Sequence, residues 1–161
     1  MSKVETNAER SSSSDVLVKI SGDLISKEEV YDWLAQFAQP STRLFILCGG
    51  GSSITKRLEE KNIAYRFGPS GREIESEKGR SLAEQVLQEQ KSLVVEKLHQ
   101  RRISATVLIP VMLLGEKVCH LNGDEYVKTA YPNFDKIFVL TLTDREKYFP
   151  TELERIEVVK F

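Results

Sequence analysis

The chain has 161 residues, which suits one domain that buries about 70% of the surface of its unfolded chain and excludes a large multidomain machine. Hydrophobic residues make up 40% and glycines number 9, a globular composition that rules out collagen-like or wholly disordered character. Lys and Arg total 23 against 24 Asp and Glu, so no overall field draws the protein to nucleic acid or to an anionic membrane, and any anion site has to be local. Cys48 and Cys119 form no Cys-x-x-Cys pair, and His99 and His120 are the only histidines, so no metal site is expected. Unpaired thiols, no apolar window of about 18 residues and no signal-peptide core predict a soluble, cytoplasmic protein without a membrane partner.

Residues 1–14 are mostly polar and include a run of four serines, Ser11 to Ser14, which predicts a disordered tail ahead of a single domain over 15–161. Val16-Leu17-Val18-Lys19-Ile20 is then a short apolar, β-branched run of the kind buried on both faces of a parallel sheet. Ser26 and Glu29 have the spacing of a capping box, and Val30, Trp33, Leu34 and Phe37 fall at helical intervals, predicting a helix that stops before Pro40. Residues 44–48 read as a second buried strand, which runs straight into Gly49-Gly50-Gly51-Ser52-Ser53 and a helix over 54–61.

A third apolar piece spans 63–67 and leads into the turn Gly68-Pro69-Ser70-Gly71. The stretch 75–101 predicts one long helix, with Leu82, Val86, Leu93, Val94 and Leu98 on one broad face and Gly79 weakening its first turns. Residues 105–109 predict a strand ending at Pro110, 112–121 a strand pair around Gly115, and 136–142 another buried strand. Asn122-Gly123-Asp124 caps a helix that runs to about Tyr131, before Pro132. Residues 156–160 form a last strand-like run. Strands alternating with helices imply a three-layer α/β/α sandwich with a mainly parallel sheet.

Three features carry possible chemistry. Lys19 stands in an aliphatic strand, where an unpaired ammonium is costly, so its head should reach the strand's C-terminal end, the edge at which open α/β sheets bind ligands. An edge lysine stretching to water would look the same in sequence. Gly49-Gly50-Gly51-Ser52 follows a strand and opens a helix, so its free N–H groups can receive an anion, although a tight strand-to-helix turn also explains it. The loop lacks the lysine of a Walker motif and the third glycine of a dinucleotide fingerprint, since Ile54 stands there. Asp124 lies on the first turn of a helix, where it complements the dipole whether or not it does anything else. Lys19, two glycine loops and Asp124 together suit phosphoryl transfer, which needs positioning and charge neutralisation more than a protein nucleophile. Cys119 and His120, adjacent in a strand, should face opposite ways, Cys119 toward core and His120 toward the mouth of the site.

Val-Leu-Val-Lys-Ile-Ser-Gly-Asp at 16–23, the triple glycine at 49–51, Phe67-Gly68 with Arg72, Leu121-Asn122-Gly123-Asp124 and Leu140-Thr141 occur in an order that resembles the amino acid kinase family. The opening Ser-Gly is most similar to uridylate kinases. The resemblance implies a compact kinase-like (carbamate kinase-like) fold in which Lys19 stabilises the transferring phosphoryl group and Asp124 orients that lysine. It also implies that Ser21, Gly22, Gly49, Gly50, Gly51 and Ser52 hold phosphate or acceptor, and that Arg72 and Asn122 bind the acceptor. Gly123 stands where the family carries a small alanine. Little chain follows residue 143, where the family continues into a nucleotide-binding half with a second catalytic lysine, and Lys147 is the nearest lysine after that point. The expectation is a truncated kinase-like domain that binds a phosphorylated or anionic small molecule with ATP-dependent transfer reduced or lost. The alternatives are a working kinase using ATP and Mg²⁺, and an oxyanion-storage subunit. The long helix at 75–101 is available for a homodimer or higher homo-oligomer.

Overall fold

A computed structural model describes residues 12–161; the tail expected over 1–14 lies, as far as residue 11, outside the described residues. Ser14 does not belong to a tail. It opens β1 (Ser14–Ile20), its N–H donating to Ser41 O at 2.8 Å. The remaining elements are α1 (Glu28–Leu34), β2 (Thr42–Cys48), α2 (Gly51–Glu60), β3 (Arg66–Gly68), β4 (Gly71–Glu73), α3 (Glu77–Gln100), β5 (Thr106–Leu108), β6 (Val111–Leu114), β7 (Lys117–His120), α4 (Gly123–Ala130), β8 (Lys136–Thr141) and β9 (Ile156–Lys160). Single 3-10 turns occupy Gly22–Leu24, Ala35–Phe37 and Tyr131–Asn133.

The central sheet has the order β5-β2-β1-β8-β9, and every neighbouring pair is parallel. β1 is the middle strand, which is why Val16, Leu17, Val18 and Ile20 are all buried and its sequence shows no alternation. Its side chains nevertheless divide between two cores. Val16, Val18 and Ile20 pack with Val30, Tyr31 and Leu34 of α1 and Val94 and Leu98 of α3, whereas Leu17 packs with Leu47, Val139 and Val127 of α4. Helices thus cover both faces, and the three-layer α/β/α arrangement follows. A third cluster, Ile54, Leu58, Ala83, Val86 and Leu87, fastens α2 to α3. The edges are blunted in different ways: β5 is only three residues long, and β9 carries Glu157 and Lys160.

One local expectation needs correction. The Ser26–Glu29 capping box does not form, because the chain leaves β1 through the 3-10 turn at 22–24 and Lys27 takes the cap position without a side-chain bond. The entry into α1 is fixed by the buried Tyr31, whose hydroxyl donates to Ile25 O at 2.7 Å. The apolar piece at 63–67 adds no strand to the main sheet. Only its end is extended, and β3 and β4 form a separate hairpin around the turn at 68–71. β6 and β7 form a second hairpin around Gly115. The long helix is present, and Gly79 is one of its packing positions: a Cβ there would come within 2.5 Å of Ile74 Cγ2. Among the described residues no helix is long and apolar enough to cross a membrane.

Candidate functional site

From β1 the chain passes to α1 on one face of the sheet, whereas after β8 it runs through 142–155, where Phe149 packs in the core on the α4 face. The two exits diverge, so a crevice opens beyond the C-terminal ends of β1 and β8. Lys19 shares the face of Leu17, its side chain runs toward this end, and it is 6% exposed. Lys19 Nζ donates to Asp124 Oδ1 at 3.2 Å. Asp124 is placed by Asn122, whose Oδ1 caps α4 by accepting from the N–H groups of Asp124 (2.9 Å) and Glu125 (3.1 Å). Gly123 leaves room for the lysine stem, because a Cβ there would meet Lys19 Cε at 3.0 Å.

The second oxygen of Asp124 has a partner that the sequence offered only as the nearest lysine after residue 143. Lys147 Nζ donates to Asp124 Oδ2 at 2.7 Å, so one carboxylate carries two ammonium groups. Burial pushes the Lys19 ammonium below its ordinary value; Asp124 opposes this, and the like charges of Lys147 and Arg145 reinforce it. Burial alone would raise the Asp124 carboxyl, but the two lysines outweigh it and hold it below the usual carboxylate value. One carboxylate thus faces two lysines, a formal excess of one positive charge.

The glycine loops form the other wall. Gly22 is required by close approach: a Cβ on it would lie 2.4 Å from Gly50 C and 2.5 Å from Gly51 N, both backbone atoms. Gly51 has φ +55°, the left-handed conformation that glycine adopts without strain, and it starts α2. The N–H of Gly49 donates to Ile20 O at 2.8 Å, while those of Gly22, Gly50 and Gly51 make no hydrogen bond among the described residues. Ser52 is already engaged: its N–H (3.0 Å) and hydroxyl (2.5 Å) both donate to Asp23 Oδ1. Arg145 lies 2.8 Å from the other Asp23 oxygen. Burial raises the Asp23 carboxyl, yet the bonds from Ser52 and the charge of Arg145 leave it below its ordinary value. A carboxylate of the chain itself thus occupies part of the α2 N-terminus, and the remaining free donors cluster at Gly22, Gly50 and Gly51. Ser21 is buried, with its N–H tied to Leu140 O at 3.1 Å, and joins β1 to the end of β8.

The Lys19–Asp124–Lys147 triad and the glycine loops, though not Asp23 or Ser52, line a cleft of ≈ 470 Å³. Its walls carry the cations Lys19, Arg72, Lys128, Arg145 and Lys147 against Asp124 and Glu125. With Asp23 set against Arg145, an excess of two positive charges remains in a chain of net charge −1. The cleft opens into a larger cavity of ≈ 830 Å³, and Arg72, His120 and Asn122 line both. Arg72 donates to Gly51 O (3.0 Å) and Thr55 Oγ1 (2.9 Å), which ties the β4 hairpin strand to the start of α2, and its buried Nε has no partner among the described residues. Burial and the neighbouring Arg72 push His120 down to about 4, so it is uncharged at neutral pH. Cys119 is half-buried, lines neither cavity and joins none of the three core clusters, so it is not the core residue expected.

All ten residues singled out in the sequence as candidate site groups therefore gather at one sheet edge, with Ser21 and Ser52 used internally and Lys147, Arg145 and Asp23 added. Among the described residues no group of three His, Cys, Asp or Glu side chains is arranged to hold a metal ion. Compared with protein-family models and with curated proteins, the chain matches none.

Proposed function

We propose that this cleft binds a phosphate-bearing small molecule or a related oxyanion, on a fold akin to that of the amino acid kinases. The observation that carries the reading is the Lys19–Asp124–Lys147 triad beside the unpaired N–H groups of Gly22, Gly50 and Gly51. Two ammoniums sharing one carboxylate leave positive charge unneutralised, and backbone donors at a helix start add oriented dipoles without adding mobile side chains. The larger cavity adjoins the cleft, with Arg72 and Asn122 at the junction.

The position of Lys147 favours a second reading, a working phosphotransferase. In phosphoryl transfer the acceptor oxygen bonds to the terminal phosphorus as the bond to the leaving phosphate oxygen breaks, and charge develops on both sides. Lys19 and Lys147, held apart by Asp124, are suited to neutralise that charge, and Lys147 takes the place of the second lysine that the family resemblance calls for. ATP would be the phosphoryl donor. Mg²⁺ commonly binds through phosphate oxygens, water and one or two carboxylates; Asp23 and Asp124 would serve it only by releasing their present partners.

Titration with inorganic phosphate, and with ATP, UMP and acidic amino acids each with Mg²⁺, tests both readings. Saturable anion binding that falls more than about tenfold in Lys19→Met and in Lys147→Met supports the binding site. ATP turnover lost in the same variants establishes the kinase. Anion binding indifferent to both lysines overturns the assignment.

A further inference from the structure

Two aromatic rings at the mouth of the cleft have no role in holding phosphate. Phe67 on β3 is 67% exposed and Tyr148, in the segment after β8, is 84% exposed. The other aromatic side chains among the described residues are at least half-buried, most of them in the two cores, as Trp33 is against Phe37, Phe138 and Phe161. Both exposed rings line the same ≈ 470 Å³ cleft as the triad, and Tyr148 directly follows Lys147.

Phe67 is exposed but not loose. The Arg72 guanidinium lies over its ring at 5.3 Å, and Tyr65 meets it edge-on at 5.8 Å. Arg72 is in turn fixed to Gly51 and Thr55. A large apolar ring left mostly in water gains little for folding beyond these two contacts, whereas a preorganised ring beside an anion site gains contact when a ligand arrives. The neighbouring Pro69 and the aliphatic Ile54 extend the apolar part of the lining.

From this placement we propose that Phe67 and Tyr148 form a ring-binding subsite, and that the ligand is a phosphate ester whose organic part includes a flat aromatic ring. The phosphate sits toward Lys19 and Lys147, and the ring lies at the mouth against Phe67 and Tyr148. The inference rests on the reading of the cleft as a phosphate site. Flat partners are favoured over saturated ones of the same size, because offset or edge-on ring contacts add to the simple burial of area.

Calorimetric titration with inorganic phosphate, phenyl phosphate and cyclohexyl phosphate separates the two layers of the argument. Phenyl phosphate should bind about fivefold more tightly than cyclohexyl phosphate. Phe67→Leu and Tyr148→Ala should each bring that ratio toward one, a readout that a general loss of anion affinity would not move. Both positions are exposed, so the fold tolerates these changes. Phosphate binding with no preference for the aromatic ester, or a preference that survives both substitutions, overturns the ring subsite alone. Absence of any phosphate binding overturns the phosphate reading and the subsite with it.

Discussion

Replacing Asp124 by Asn removes the charge that separates Lys19 from Lys147 while keeping the shape of the side chain. The ammoniums lie 3.2 and 2.7 Å from the two carboxylate oxygens. At an effective dielectric of about 20, two like charges taken as about 6 Å apart repel by about 3 kcal/mol. Breaking a buried pair by removing one partner typically costs about 3–5 kcal/mol, and the 23% exposure of the Asp124 side chain argues for the lower end. Asp124→Asn should therefore lower the unfolding free energy by about 3 kcal/mol, or the Tm by roughly 6–12 °C for a chain of this size. Urea unfolding measures it. Adding Lys19→Met removes one of the two repelling charges, so the double variant should recover about 2 kcal/mol of the loss. Inorganic phosphate should raise the Tm of Asp124→Asn more than that of the parent protein, since the anion replaces the missing charge. A loss below about 1 kcal/mol, or strictly additive effects of the two substitutions, would refute the triad.

Other consequences can be checked separately. Gly22→Ala places a Cβ against the Gly50 backbone, so it should destabilise the protein by about 1–3 kcal/mol and weaken phosphate binding more than tenfold as the two loops part, both readable in one titration series. Arg145→Ala removes a contact made by a side chain that is 46% exposed, and Asp23 keeps its bonds to Ser52; unfolding should change by no more than about 1 kcal/mol. His120 is held at about 4 when folded against the ordinary 6.5 of histidine, so the unfolded chain binds the extra proton between those values. Stability should be full above about pH 6.5 and decline as the pH falls toward 4, and His120→Gln should flatten that decline in pH-dependent urea unfolding. Asp23 and Asp124, both held below 3.8, contribute stability that is present above that pH and lost as the pH falls through their lowered values; Asp124→Asn should reduce this acid-side slope.

Much of the frame follows from local pattern. β1, β2 and β8 are short apolar runs because strands in the middle of a parallel sheet are covered on both faces, and Asn122 announces the start of α4 because few other side chains accept so well from the first N–H groups. Lys19 and the glycine loops could be placed at one edge for the same reason, each ending or directly following such a run, whereas Asp124 follows the β6–β7 hairpin. Lys147 could not be so placed. It lies in an irregular segment, and it reaches Asp124 only because β8 pairs beside β1, a long-range event with no local signature. The usable signal was topological: residues just past a parallel strand emerge at the ligand-binding edge, which directs attention to Arg145 and Lys147 once β8 is assigned. Asp23 and Ser52 were legible as residues but not as a pair, since their bond depends on how closely Gly22 lets the two loops meet. The missing capping box shows the opposite failure. Ser26 and Glu29 have the right spacing, but a preceding 3-10 turn moves the first helical residue to Glu28.

The most direct test of the account is phosphate binding measured by calorimetry on the parent protein, Lys19→Met and Lys147→Met. Saturable binding in the parent, reduced more than about tenfold by either substitution alone, is the predicted result. Binding that persists when both lysines are gone, or no binding in the parent, would contradict it.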